Sequence, residues 1–188
     1  MIILLEDYSV NPRVKKRYVC ARLASNMRKI NILFSALLVL SATLPAQQLS
    51  TKKSLNLAVA KQIAMASEKE AMKNGWAMFI TVVDDGGTIL YLERLDEAQI
   101  GSLEVSIEKA LTAVKFKRPS KAFADLVTGG NNALIKLPGA LPVEGGIPLM
   151  AEGKVIGAIG VSGGSSQQDA QVAQAGVTAL EALLKGGK

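Results

Sequence analysis

The sequence predicts an α+β fold: a single layered domain in which an antiparallel sheet of about five strands is flanked by helices. Apolar residues recur at helical spacing in several segments, short β-branched runs come in pairs, and Gly-containing turns join each pair. Strands joined by tight turns pair antiparallel, and helices packed on such a sheet give a layered α+β domain. A chain of 188 residues, 49% of them apolar, suits one domain with its own core.

The helices are predicted from their apolar stripes and end signals. Residues 54–74 form the first helix, which Asn74-Gly75 ends, and residues 102–116 form the second, with Ser102 as its N-cap. A short helix over residues 120–127 follows Pro119, and residues 167–184 form the last helix.

The strands are predicted as two hairpins. Residues 76–83 and 88–92 flank the turn Asp84-Asp85-Gly86-Gly87, and residues 147–151 and 155–161 flank Glu152-Gly153-Lys154. Residues 128–142 have no clear period and are predicted as a surface loop, with room for one more short strand at residues 141–143.

The first 46 residues are predicted to lie outside this domain. Residues 27–46 combine a basic start at Arg28-Lys29, an apolar run of thirteen residues and a small-residue segment that allows cleavage near Ala46. A membrane span needs about 20 apolar residues, so a signal peptide is preferred to an anchor. Residues 1–26 are interpreted as an upstream extension before a true start at Met27. Residues 47–188 are then the mature domain, secreted or periplasmic.

The net charge of +6 belongs to the leader rather than to the domain. Residues 1–46 carry seven Lys or Arg and two acids, whereas residues 47–188 carry fifteen and fourteen, so no nucleic-acid partner is predicted. The chain has no histidine, and its one cysteine, Cys20, lies in the leader. Serine triads with histidine, thiol nucleophiles and the commonest metal ligands are therefore excluded from the domain, and no metal site is predicted.

Residues 144–171 hold seven of the seventeen glycines. Their spacing fits neither a dinucleotide fingerprint nor a phosphate-binding loop. Gly157 and Gly160 lie inside a predicted strand and indicate the close approach of another backbone. For Gly163 and Gly164, before the last helix, close packing is preferred to anion binding.

Three charged residues are candidates for a binding site. Arg94 and Asp96 follow the second predicted strand, and Lys109 flanks the apolar face of the second helix. At such a position the sequence favours a lysine whose stem lies on the core and whose ammonium is solvated. A functional Lys109 would need burial or a charged partner.

Three stretches, "VVDDGGTILYLERLDEA", "SIEKALTAVKFKRPS" and "GGIPLMAEGKVIGAIGVSGGSSQQDAQVAQAG", follow one another in the order seen in the GlcG/HbpS family. The chain resembles this family, which includes haem-binding HbpS proteins and the C-terminal domain of PduO, over residues 55–184. The resemblance implies a five-stranded antiparallel sheet, a homo-oligomer and, for some members, haem or another tetrapyrrole as ligand. It also implies a membrane sensor kinase as a partner of the secreted members.

The sequence departs from the family pattern in two places. Glu97 stands where the family usually has glycine, after Arg94-Leu95-Asp96. The chain also lacks the histidine to which haem coordination in the family looks, so haem held by histidine is excluded, and haem or another tetrapyrrole becomes a less favoured cofactor. Methionine, tyrosine or lysine would have to serve as axial ligand. The methionine and tyrosine candidates are Met65, Met72, Met78, Met150 and Tyr91.

The sequence therefore predicts an oligomeric protein that binds a small molecule beside "VEGGIP". Arg94, Asp96 and Lys109 would supply its charged groups, and Gly145 and Gly146 would present backbone N–H groups. Two alternatives stay open: a ligand-free signalling or scaffold accessory that acts through its oligomer surface, and a small-molecule enzyme with Lys109 as base or nucleophile.

Overall fold

The computed structural model describes residue 49 and residues 51–186, so the upstream extension and the signal peptide lie outside the described residues. Residues 51–186 belong to one compact unit. Within that range, no helix combines the length and the apolar character that crossing a membrane requires.

The elements alternate as the sequence predicts, and the α+β class is confirmed. Over residues 51–186 the helices are α1 (Leu57–Lys73), α2 (Ser102–Phe116), α3 (Lys121–Thr128) and α4 (Ser166–Gly186), with a 3-10 helix at Asn132–Lys136. The strands are β1 (Phe79–Asp84), β2 (Ile89–Arg94), β3 (Gly146–Ala151) and β4 (Lys154–Ser162).

The described sheet has four strands in the order β2-β1-β4-β3, all antiparallel, rather than about five. Residues 141–143 do not add the further strand. The Leu141 N–H donates to Thr112 Oγ1 at 2.8 Å, and Pro142 has no N–H, so neither residue can donate to a neighbouring strand.

Local side-chain chemistry sets the element ends. The Asn56 side chain caps α1 by accepting from the Val59 N–H at 2.9 Å, which places the helix start three residues later than predicted. Asp84 Oδ1 closes the first hairpin by accepting from the N–H groups of Gly86 and Thr88. Glu152 and Gly153 form the second turn with φ of 51° and 74°, the left-handed pair that suits a two-residue hairpin.

The sheet lies between two helical layers. Helices α1 and α4 pack together on one face, over the larger core cluster, which includes Ile63, Ile80, Ile159 and Val172. Among the helices of residues 51–186, α2 covers the other face, and its contact is built from small residues such as Ala110, Ala113 and Ala158. Because small side chains fill this second layer, α2 lies close to the strands.

Two glycines make that close approach, and we call Gly146 and Gly160 the glycine seam. A Cβ on Gly160 would overlap the Ser106 carbonyl oxygen and lie 2.5 Å from the Ala110 nitrogen. A Cβ on Gly146 would overlap the Lys109 carbonyl oxygen. Likewise, a Cβ on Gly157 would overlap the Val83 carbonyl oxygen, so the prediction of close backbone approach in this strand is confirmed.

Glu97, the residue in place of the family's glycine, has a φ of 63° in the loop after β2. This left-handed conformation costs a non-glycine L-residue about 1–2 kcal/mol. We expect Glu97→Gly to raise the free energy of unfolding by about 0.5–1 kcal/mol, since glycine removes the strain but adds unfolded-state entropy. Urea denaturation would measure the change. The matched control is Glu104→Gly in α2, which should lower stability by about 1 kcal/mol; a loss of stability in both variants would contradict the prediction.

Candidate functional site

Lys109 is buried, which corrects the solvated position that the sequence favours for it. Its side chain is 1% exposed. Lys109 Nζ donates to Asp169 Oδ2 at 2.6 Å and to the Val161 carbonyl oxygen at 3.1 Å. The prediction fails because α2 presses against the sheet along the glycine seam, so a position flanking its apolar face is also covered. The pair joins α2 to the end of β4 and the start of α4.

Asp169 is held from both sides. Its Oδ1 accepts from the Gly164 N–H at 3.0 Å, in the bend that leads into α4. Burial raises the pKa of the Asp169 carboxyl, while the Lys109 ammonium and the amides of Gly164 and Gly163 act in the opposite direction. A Cβ on Gly163 would lie 2.7 Å from Met78 Cα. Gly163 therefore packs closely, as predicted, and the backbone amides of both glycines interact with the Asp169 carboxyl.

A pocket of about 380 Å³ lies over this ion pair, and we call it the Gly145 pocket. Gly145 has a φ of 124°, and a Cβ there would lie 2.8 Å from the Val161 oxygen and 2.9 Å from Lys109 Nζ. Its carbonyl accepts from the Val161 N–H at 3.0 Å. The floor is therefore bare backbone resting on a buried charge pair. The residues that line the pocket include Lys121, Glu144, Gly145, Gly146, Gln167, Gln171 and Gln174.

Arg94 and Asp96 lie elsewhere, in a concavity of about 550 Å³ that we call the Trp76 cleft. The Arg94 guanidinium donates to the Ala98 carbonyl oxygen at 3.1 Å and stacks 5.7 Å from the centre of the Phe79 ring. The charged and aromatic lining of the cleft is Glu68, Trp76, Glu93, Arg94, Asp96 and Glu97.

The five predicted site residues therefore fall into two groups. Gly145 and Gly146 line the Gly145 pocket, and Lys109 supports its floor from below. Arg94 and Asp96 line the Trp76 cleft, whose lining includes none of the other three residues. The sequence gives no distances between these five residues, and it predicts a single site for them. The structure places them in two separate concavities.

A third concavity, of about 610 Å³, opens beside the β3–β4 turn, and we call it the Met150 cleft. Its walls combine apolar side chains with lysines around one carboxylate, that of Asp85, which is paired with Lys52. The residues that line this cleft include Lys52, Val114, Lys117, Met150, Lys154 and Val155. Among residues 49 and 51–186, no group of three His, Cys, Asp or Glu side chains is placed to hold a metal ion.

Glu93 in the Trp76 cleft carries a perturbed carboxyl. Its Oε2 is buried and has no hydrogen-bond partner. Burial, together with the charge of Glu68 on α1, raises the pKa of Glu93 above its ordinary value of 4.5.

This shift predicts a pH dependence of stability. Folded Glu93 keeps its proton to a higher pH than the unfolded chain, so its contribution is complete below about pH 4.5 and is lost as pH rises through the raised value. We expect Glu93→Gln to become progressively more stable relative to wild type over that rise, by urea denaturation at a series of pH values. Glu181→Gln, at an exposed position on α4, controls for the loss of one charge, and a pH-independent difference for Glu93→Gln would contradict the prediction.

Sequence reasoning missed Asp169, Trp76 and Glu93 as site residues. Asp169 left a readable signal, because it occupies the buried stripe of α4 with Val172, Ala173, Gly176 and Leu180. An acid at an otherwise apolar helical position demands a buried partner. The sequence gives no such signal for Trp76 or Glu93, since an aromatic residue before a strand and an acidic residue near the end of a strand are both common.

The fold and its concavities define a small layered α+β domain in which a pocket at the start of the β3–β4 hairpin lies over a buried ion pair. Residues 55–178 match the model of the family described as "Haem degrading protein HbpS-like". The chain belongs to the HbpS-like family, as its resemblance to the GlcG/HbpS proteins implies.

Individual relatives agree with this membership. Protein GlcG of Escherichia coli is 40% identical over 114 residues, which cover 61% of this chain and 85% of GlcG. A double mutant of HbpS from Streptomyces reticuli is similar in structure, with a TM-score of 0.65 and 32% identity over 72% of this chain and 93% of that one. The PduOC:haem complex gives a TM-score of 0.62 and 28% identity over 68% and 95% of the two chains.

Proposed function

We propose that this protein binds a small polar molecule in the Gly145 pocket. The observation that supports the proposal is the Lys109–Asp169 ion pair beneath the pocket floor. Lysine is almost never fully buried, and a buried ion pair stabilises a fold little compared with apolar residues of the same volume. The position of this ion pair suggests that it holds the Gly145 backbone in place. The pocket floor would then be rigid and already formed before a ligand binds.

The pocket walls indicate the class of ligand. Gln167, Gln171 and Gln174 bring amide groups that both donate and accept, and Gln171 also donates to Glu70 Oε1 at 2.7 Å. Lys121, whose ammonium pairs with Asp125 at 2.7 Å, adds a positive charge to the lining. The Gly146 N–H already donates to Ser120 Oγ at 2.9 Å, which leaves Gly145 as the backbone donor of the predicted pair. These groups suit a small carboxylic acid or its amide.

A titration with matched variants tests this function. We expect one or more members of a panel of mono- and dicarboxylic acids and their amides to raise the melting temperature of wild type. Binding, measured by calorimetry, should weaken about tenfold in Gln171→Leu and Gln174→Leu, since a hydrogen bond to a charged ligand contributes roughly 1.5 kcal/mol. Gln62→Leu, an exposed glutamine on α1, should bind as wild type does. No shift with any compound, or equal binding by the pocket variants, would overturn the proposal.

The oligomer and the location belong to the same proposal. We infer that the mature domain is a homo-oligomer, exported after cleavage near Ala46, from the resemblance and from the leader pattern. Light scattering of residues 47–188 and N-terminal sequencing of the exported protein would test both. A persistent oligomer that binds none of the compounds would favour the scaffold alternative. The membrane sensor partner stays a prediction.

The geometry does not favour the alternative in which the protein is an enzyme with Lys109 as base or nucleophile. Lys109 Nζ is enclosed by the Asp169 carboxylate, the Val161 carbonyl oxygen and the Gly145 backbone. A base or nucleophile must reach the substrate atom directly or through one water. Lys109 therefore fits a positioning role better than a catalytic one.

Haem binding is a second candidate, at the Met150 cleft. The whole chain lacks histidine, so assembled copies cannot supply an imidazole either. The Met150 thioether, 42% exposed, shares the cleft with Lys52, Lys117 and Lys154. Methionine is an established axial ligand of haem iron, and ammonium groups suit its propionates. When bound, haem would supply a redox-active iron; the chain would contribute the sulfur and the cations.

Absorbance titration with ferrous and ferric haem tests this candidate. We expect a Soret shift with wild type that Met150→Leu abolishes and that Lys117→Gln weakens. Met65→Leu is the matched control, since Met65 is 61% exposed on α1 and does not line the Met150 cleft. Equal spectra for wild type and Met150→Leu would overturn haem coordination at this cleft.

A further inference from the structure

The Trp76 cleft combines features that the proposed function does not use. It lies at the end of the sheet where α1 meets β2, and Trp76, Met72 and Leu95 give it apolar walls. Four carboxylates line it, those of Glu68, Glu93, Asp96 and Glu97, whereas residues 47–188 as a whole carry nearly balanced charge, fifteen bases and fourteen acids.

The cations around the cleft do not neutralise this charge. Arg94 is the one basic residue among those lining the cleft, and its guanidinium is engaged by the Ala98 oxygen and the Phe79 ring. Glu93 Oε2 is buried without a hydrogen-bond partner beside the cleft, and positive charge brought close to it would stabilise the ionised carboxyl.

The arrangement of the carboxylates around the cleft favours a large organic cation over a divalent metal ion. No three acidic side chains of the described part of the chain are placed to hold a metal ion, so the negative charge is spread around the cleft rather than focused on one point. A hard divalent ion needs several oxygens within bonding distance. A larger organic cation needs diffuse negative charge, an aromatic face and apolar contact, and Trp76 is the best of the aromatic side chains for a cation.

We propose that the Trp76 cleft is a binding site for a small organic cation, an amine or quaternary ammonium compound with an apolar body. Trp76 provides the aromatic face, Glu93 and Glu68 provide the facing charge, and Met72 and Leu95 cover the apolar part. The site is separate from the Gly145 pocket in its lining residues, so either can fail without the other.

The chain carries its own reporter for this site, because Trp76 is its single tryptophan. We expect choline and benzyltrimethylammonium to change the fluorescence of Trp76 saturably, with weaker binding at 0.3 M than at 0.05 M salt, roughly a threefold to tenfold loss. The uncharged isostere of choline, 3,3-dimethyl-1-butanol, should bind at least tenfold more weakly, since the cation carries the recognition.

Variants locate the binding. Glu93→Gln keeps the shape of the side chain and should weaken choline binding about tenfold, while Glu181→Gln on α4 removes one exposed charge outside the cleft and should not. Trp76→Leu should weaken binding similarly in calorimetry. Should Trp76→Leu not fold, Glu93→Gln decides alone. Absence of saturable quenching in wild type, equal binding of the neutral isostere, or unchanged affinity in Glu93→Gln would each overturn the proposal. Carboxylic acid binding at the Gly145 pocket is read separately, by calorimetry of its own variants.

Discussion

Replacing Lys109 by methionine is expected to lower the free energy of unfolding by about 3–5 kcal/mol, because the Asp169 carboxylate would be left buried without its counter-charge. Urea denaturation measures the loss. The same substitution at Lys121 is the matched control: Lys121 also pairs with an aspartate at 2.7 Å, but its side chain is 52% exposed, so about 1 kcal/mol or less should be lost.

A double-mutant cycle separates the stability of the pair from its positioning role. Lys109→Met combined with Asp169→Leu removes both charges and should recover stability to within about 1–2 kcal/mol of wild type. The remaining loss comes from the Gly164 amide and the Val161 carbonyl oxygen, each of which loses a hydrogen-bond partner. Ligand binding at the Gly145 pocket should not recover, since the floor has lost its anchor. Full recovery of both properties would show that the pair does not position the floor, and equal losses at Lys109 and Lys121 would contradict its burial.

Gly160→Ala is expected to destabilise the protein by about 3 kcal/mol, near the upper end for an overpacked core. Its Cβ would meet backbone atoms of Ser106 and Ala110, so no side-chain rotation relieves the overlap and α2 has to move away from the sheet. Thermal and urea denaturation both measure this loss.

Gly101→Ala provides the comparison for Gly160→Ala. A Cβ on Gly101 would have no heavy atom within 4 Å, and its φ of −60° and ψ of −22° suit alanine. This variant should be unchanged or up to about 1 kcal/mol more stable than wild type. A similar effect of alanine at both positions would mean that α2 tolerates displacement and that the glycine seam does not fix it.

Much of the fold is predictable from local pattern. The hairpins over residues 79–94 and 146–162 follow from β-branched runs and from turns at Asp84 and Glu152. The helix faces follow from their periodicity, and glycine inside β4 announces the backbone contact that Gly160 makes. These features depend on residues close together in sequence, where the physical cause is visible.

The candidate site is less predictable because it depends on partners far apart in sequence. Lys109 meets Asp169 across 60 positions, and nothing near Lys109 reveals the layer that covers it. Arg94 and Lys109 look alike as cations near predicted elements, yet they belong to different concavities. Glu93 becomes notable only through burial beside Glu68, which lies on another element. The absence of histidine, by contrast, is read from the sequence alone and already limits how haem is held.

The bare floor of the Gly145 pocket has a consequence for protein engineering. At Gly145 and Gly146 any added side chain would collide with the ion pair or with the α2 backbone. Substitutions at these two floor positions are therefore not tolerated. The exposed side chains of Gln167, Gln171 and Gln174 project from a helix that is already packed on its other face. New ligand specificities can therefore be explored with a library that varies these three wall positions together and keeps the glycines of the pocket floor unchanged.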